Sequence, residues 1–87
     1  MNVELIARPV VTEGSVTLLA EALRKAADQD GTDGVILAAY LRHLYNGPDP
    51  ELAHEIGRRN LSALNTALRT RKLPPVCYDE HCFRFLT

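Results

Sequence analysis

Apolar and polar positions along the chain form several stretches of helical period, followed by a short β-prone segment. In the first stretch, apolar residues from Val16 to Ala26 recur at intervals of three and four, the spacing of an amphipathic helix. Thr12 can cap its first turn and Gly31 can end it. The pattern therefore predicts a helix over about 12–30.

The second stretch is apolar on nearly all sides and predicts a central core helix over about 34–46. A boundary follows it, because Asp49 can cap a new helix and Pro50 suits a first helical position. Ahead of the first helix, residues 1–11 are β-prone but contain Pro9. We expect them to form an extended arm or an edge strand.

The segment from Pro50 to Lys72 allows two interpretations. It could form one helix of about 22 residues, with an apolar half and a polar half. Gly57 in the middle of that helix would cost about 1 kcal/mol relative to alanine. Asn60 would also point into the apolar half, where its amide needs hydrogen-bond partners.

A break at 57–60 removes both difficulties, and we favour it. Gly57 would close a helix over about 50–57, and Arg58 and Arg59 would form the turn. Asn60 would then cap a helix over about 61–71. On that second helix, leucine and alanine would face the core and polar side chains would face outward.

The last segment carries β-branched and aromatic residues on both sides of Asp79 and Glu80, which predicts a hairpin over about 75–86. A two-residue loop and a four-residue loop both place Cys77 opposite Cys82. We expect both thiols to be free in a reducing cytosol. A zinc site using Cys77, His81 and Cys82, with His54 or Asp79 as a fourth ligand, is disfavoured because the paired knuckles of structural zinc are absent.

Length and composition agree with the helices and hairpin predicted from the pattern. Eighty-seven residues, 46% apolar and 24% charged, predict one domain over 1–87 that is mainly α with a small β-hairpin (α+β). No apolar run suits a membrane span and no secretory signal is evident, so we expect a cytoplasmic protein. We expect no enzyme activity, cofactor or resident metal, since no catalytic set or phosphate-binding loop is present.

Charge is distributed unevenly. The net charge is −1, yet residues 58–72 contain five of the ten basic residues and no acid. The stretch also holds amide and hydroxyl side chains on the predicted outward face, which can hydrogen-bond to bases and phosphates. These features predict contact with double-stranded DNA, or alternatively with an acidic protein surface, as an adaptor or inhibitor, for instance one from a mobile element, would make.

The order of a supporting helix, two short helices and a hairpin over about 33–86 resembles the winged helix-turn-helix family of DNA-binding proteins. Leu52, Ala53, Ile56 and Gly57 occupy positions that this family fills with aliphatic, alanine, aliphatic and glycine residues. SALNTALRTRK, from Ser62 to Lys72, is similar to the recognition helix of Cro-type repressors. The resemblance implies a small transcriptional regulator with helix 61–71 in the major groove, acting as a homodimer.

The same resemblance implies roles for eight residues. Four would face bases: Ser62, Asn65, Thr66 and Arg69. Four would meet phosphates: Arg58, Arg59, Arg71 and Lys72.

Overall fold

The first helix begins and ends where its capping residues predict. A computed structural model describes residues 10–87, and in it α1 spans Glu13–Asp30. The Thr12 hydroxyl accepts a hydrogen bond from the backbone N–H of Ser15 at 3.1 Å. Gly31, with φ of +81°, donates its N–H to the carbonyl of Ala27. The predicted helix over 12–30 is confirmed, whereas most of the predicted arm (residues 1–9 of 1–11) lies outside the described residues.

The predicted single helix over 34–46 is wrong in its first part. Val35–Leu37 form a strand, β1, and the helix α2 spans only Ala38–Leu44. An apolar run of this kind fits a strand as well as a helix, and here the extended backbone pairs with a later strand. Ile36 is buried, while Val35 and Leu37 point to the opposite, exposed face.

The predicted break between two helices is confirmed, but it lies later than expected. α3 spans Pro50–Arg59 and α4 spans Leu61–Thr70, with Asn60 between them. The Asp49 carboxylate caps α3 by accepting from the N–H of Leu52 at 3.0 Å. Asn60 stands at the N-cap of α4 but makes no side-chain capping bond.

Gly57 and the two arginines after it are therefore helical, which corrects the predicted turn at Arg58 and Arg59. Gly57 is buried because α3 packs there against the ring of Tyr78. A Cβ at Gly57 would overlap the ring atoms of Tyr78. The glycine is required for close packing between helix and hairpin, and not for a helix end.

The hairpin is formed by β2 (Val76–Asp79) and β3 (Cys82–Phe85), and β1 completes an antiparallel sheet of order β1-β3-β2. The turn residues are Glu80 and His81, both in the left-handed region with φ of 47° and 66°. Two such residues are typical of a type I′ hairpin turn.

The turn lies one residue later than predicted, so the partner of each β3 residue shifts by two positions along β2. Cys77 lies opposite Arg84, and Cys82 lies opposite Asp79, so the predicted pairing of the two cysteines is wrong. Both cysteines lie on the outer face of the sheet and are free thiols.

The inner face of the sheet packs against the helices in one hydrophobic cluster. Leu19 and Leu23 of α1, Leu64 and Leu68 of α4, and Phe83 of β3 have no exposed surface. The described residues thus form a mainly helical α+β domain with four helices and three strands. Across residues 10–87, no helix combines the length and apolarity needed to cross a membrane.

Replacing Gly57 by alanine should lower the free energy of unfolding by about 1–2 kcal/mol. Overpacking against Tyr78 costs about 1–3 kcal/mol, and the better helix propensity of alanine returns up to about 1. Gly14→Ala is a matched control, because its Cβ would meet only the Thr12 hydroxyl at 3.8 Å. Urea denaturation should show the control unchanged or stabilised; equal gains at both sites would contradict the close packing.

Candidate nucleic-acid interface

Helix α4 is held to the core along one side and open along the other. Leu64 and Leu68 are fully buried against the rest of the domain. Ser62, Thr66 and Arg69 are exposed, at spacings of four and three residues, as predicted. The Thr66 hydroxyl bonds to the backbone carbonyl of Ser62, one turn earlier.

Asn65 does not face outward, which corrects the predicted surface of α4. Its side-chain amide donates to the carbonyl of Val76 at 3.2 Å and accepts from the N–H of Val76 at 2.8 Å. Val76 is the first residue of β2 and is buried. Asn65 therefore joins α4 to the start of the hairpin and is not presented to bases in this conformation.

Arg71 is likewise engaged inside the protein. Its guanidinium donates to the carboxylate of Glu21 on α1 and to the carbonyl of Ala67. The Arg71 hydrogen bond is the main cause that lowers the pKa of the Glu21 carboxyl, with Arg24 contributing and burial opposing. The pair ties the end of α4 to α1, and both side chains are partly buried.

Arg59 is exposed but forms an ion pair with Glu55, one turn earlier on α3, at 3.0 Å. Exposed pairs of this kind contribute roughly 0–1 kcal/mol and exchange partners readily. Glu55 therefore neutralises the charge of Arg59 in part, while the Arg59 side chain remains at the surface.

Three of the predicted cations remain exposed without an ionic partner within residues 10–87: Arg58, Arg69 and Lys72. Arg58 lies in the last turn of α3 and Arg69 in the last turn of α4. Lys72 has φ of 61°. It follows α4 in a Schellman arrangement, in which the N–H of Leu73 bonds to the carbonyl of Leu68.

An open groove of about 570 Å³ separates α4 from the start of α1. On the α1 side it is lined by Val11 and Val16, and on the α4 side by Ala63 and Ala67. Thr66 and Thr70 also border it. The groove leaves this side of α4 accessible along its length.

A polar cluster near the turn of the hairpin was not predicted from the sequence. His54 of α3 lies against Tyr78 of β2 and His81 of the turn. These residues are 24 and 27 positions away along the chain, so no local pattern could indicate the contact. Within the described residues, no three His, Cys, Asp or Glu side chains converge as metal ligands.

Comparisons with protein-family models, with curated proteins and with solved structures gave no match.

Proposed function

We propose that this domain binds duplex DNA with α4 in the major groove, as a small non-enzymatic transcriptional regulator of the winged helix-turn-helix kind in the cytoplasm. The carrying observation is the exposed surface around α4, where Arg58, Arg69 and Lys72 stand without ionic partners in the described part of the chain. No acidic residue occurs between positions 58 and 72. A cationic, acid-free stretch of chain fits the electrostatic footprint of a polyanion-binding surface.

The geometry supports a narrower set of contacts than the sequence predicted. In the proposal Ser62, Thr66 and Arg69 contact base edges, because they share the exposed side of α4. Arg58 and Lys72, both exposed, contact phosphates. Asn65 and Arg71 hold α4 in position and leave the proposed contact set. Arg59 leaves it because it is paired with Glu55 within α3.

One helix of this size buries a limited area on DNA, so strong binding would require two copies. A homodimer is therefore part of the proposal. Its DNA affinity should depend on protein concentration in the range where the dimer dissociates.

Titration of mixed-sequence duplex DNA at several salt concentrations tests the proposal. Each neutralised phosphate contributes a slope of about −0.9 in log K against log salt, so three cations predict about −2.7 per domain. Arg69→Ala should weaken binding several-fold and reduce the slope by about 1. Arg42→Ala, an exposed arginine on α2, is the matched control and should leave both unchanged.

Two results would overturn the proposal. One is no association even in dilute buffer. The other is an equal loss of binding in the Arg69 and Arg42 variants, since general charge and not the α4 surface would then account for it.

A protein-interaction module is the second candidate, and one observation favours it. The outer face of the sheet exposes Val35 and Leu37, 52% and 54% exposed, and Leu86 just beyond β3 is 53% exposed. Aliphatic side chains grouped in this way are typical of contact with another protein. Such a module, with α4 against an acidic partner, should ignore random duplex at physiological salt, which distinguishes the two candidates.

A further inference from the structure

The turn of the hairpin is held against α3 by two histidines. The Nδ1 atoms of His54 and His81 lie 3.2 Å apart, and their ring centroids lie 4.3 Å apart at an interplanar angle of 71°. The Tyr78 hydroxyl also hydrogen-bonds to Nδ1 of His54. The Tyr78 ring in turn packs edge-on against buried Phe83, at 4.8 Å between centroids. We refer to His54, Tyr78 and His81 as the His–Tyr cluster.

The stability of this contact depends on the number of protons that the two rings carry. A hydrogen bond between two Nδ1 atoms needs one N–H and one lone pair. With both rings neutral, or with one proton shared by the pair, a suitable tautomer provides both, and Nδ1 of His54 shares its proton or its lone pair between His81 and the Tyr78 hydroxyl. With both rings protonated, two N–H groups and two positive charges face each other at 3.2 Å, and neither nitrogen can accept. The contact is therefore stable with one added proton and unstable with two.

The surroundings of His54 disfavour its protonation more than they favour it. Burial, His81 and Arg58 all lower the pKa of His54, whereas Glu51 raises it. Glu55, also on α3, is already paired with Arg59. On the hairpin side, the remaining titratable neighbours are Glu80 in the turn and the Cys82 thiol, which donates to the carbonyl of Glu80.

We propose that the contact between His54 and His81 is a proton-operated latch, which docks the hairpin turn on α3 at neutral pH and releases it when both rings are protonated. When the turn is released, His54 returns to the ordinary histidine pKa of about 6.5. Because the pKa of His54 is lowered in the docked state, the released state binds protons more readily. Docking is therefore strongest at pH values above this ordinary pKa and weakens as the pH falls below it.

The latch does not depend on DNA binding, since it concerns only α3 and the hairpin. Its test can thus succeed or fail whatever the outcome of the DNA titration. The chain also provides an internal reference, because His43 on α2 is exposed and lies outside the cluster.

NMR of the full chain with labelled histidines, titrated from pH 7.5 to 4.5 with a metal chelator present, tests the latch. We expect the pKa of His54 in the folded chain to lie below the ordinary histidine value of about 6.5. Nuclear Overhauser contacts between the His54 and His81 rings should disappear over the same pH range. Amide shifts of Glu80 and His81 should change with them, while those of α1 stay constant.

Two variants separate the latch from general acid effects. His81→Asn should keep the fold, raise the pKa of His54 toward the ordinary histidine value and remove the pH response of the turn. His43→Asn should leave that response unchanged. A His54 midpoint at or above the ordinary histidine value of about 6.5 in the unmodified chain, or ring contacts that persist at pH 4.5, would overturn the proposal.

Discussion

Replacing Asn65 by alanine should lower the free energy of unfolding by about 2–4 kcal/mol. The substitution removes both hydrogen bonds to the backbone of Val76, whose N–H and carbonyl would be left without these partners in a buried position. Each buried backbone group without a partner costs about 1–3 kcal/mol. Urea denaturation followed by circular dichroism measures the change, and an unaltered m-value would show that the unfolded state is unaffected.

Two further variants make this expectation specific. Asn65→Asp keeps an acceptor for the Val76 N–H but loses the donor to its carbonyl, so it should fall between wild type and alanine. Ser62→Ala changes an exposed side chain on the same helix and should alter stability by less than about 0.5 kcal/mol. If Asn65→Ala left stability intact and reduced only DNA affinity, the sequence-based role of Asn65 in base contact would be restored.

Replacing Phe83 by alanine should have the largest effect on stability, a loss of about 3–5 kcal/mol. Phe83 is fully buried at the centre of the sheet, opposite Ile36 on one strand and Tyr78 on the other. A chain of this length has a total stability of roughly 4–13 kcal/mol, so the loss could be most of it. The melting temperature and the denaturant midpoint should both fall sharply.

The neighbouring residue provides the control. Arg84 points to the exposed face of the same strand, and Arg84→Ala should change stability by less than about 0.5 kcal/mol. Phe83→Leu keeps most of the volume and should cost less than the alanine variant. Similar losses at positions 83 and 84 would contradict the inward and outward alternation of β3.

Elements set by short-range chemistry could be predicted from the sequence. The Thr12 cap and Gly31 define α1, and Asp49 with Pro50 starts α3, because these signals act within one turn of the chain. The interruption before α4 could also be predicted, since Asn60 in the middle of a helix lacked partners. These predictions needed no knowledge of what the helices pack against.

Elements set by distant contacts could not be predicted in this way. Val35–Leu37 are extended because β3 supplies a pairing partner 45 to 49 residues later. The hairpin register depended on Glu80 and His81 adopting the left-handed conformation without glycine or asparagine. Each of these outcomes is decided by tertiary packing, which hydrophobic period alone does not contain.

The candidate site shows the same division. Exposure of Ser62, Thr66 and Arg69 followed from helical period and was predicted correctly. The inward positions of Asn65 and Arg71 depend on partners in β2 and α1, and helical period cannot locate them. A polar residue on a helix is thus a poor guide to a binding surface until its own hydrogen bonds are known.

The brevity of β1 has a consequence for behaviour at high concentration. Among the described strands it forms one edge of the sheet, and its three residues extend only about 10 Å before the chain turns into α2. A foreign strand could gain very few main-chain hydrogen bonds along so short a ladder, although Val35 and Leu37 flank it with apolar surface. Open-ended fibril growth by strand addition at this edge is thereby suppressed.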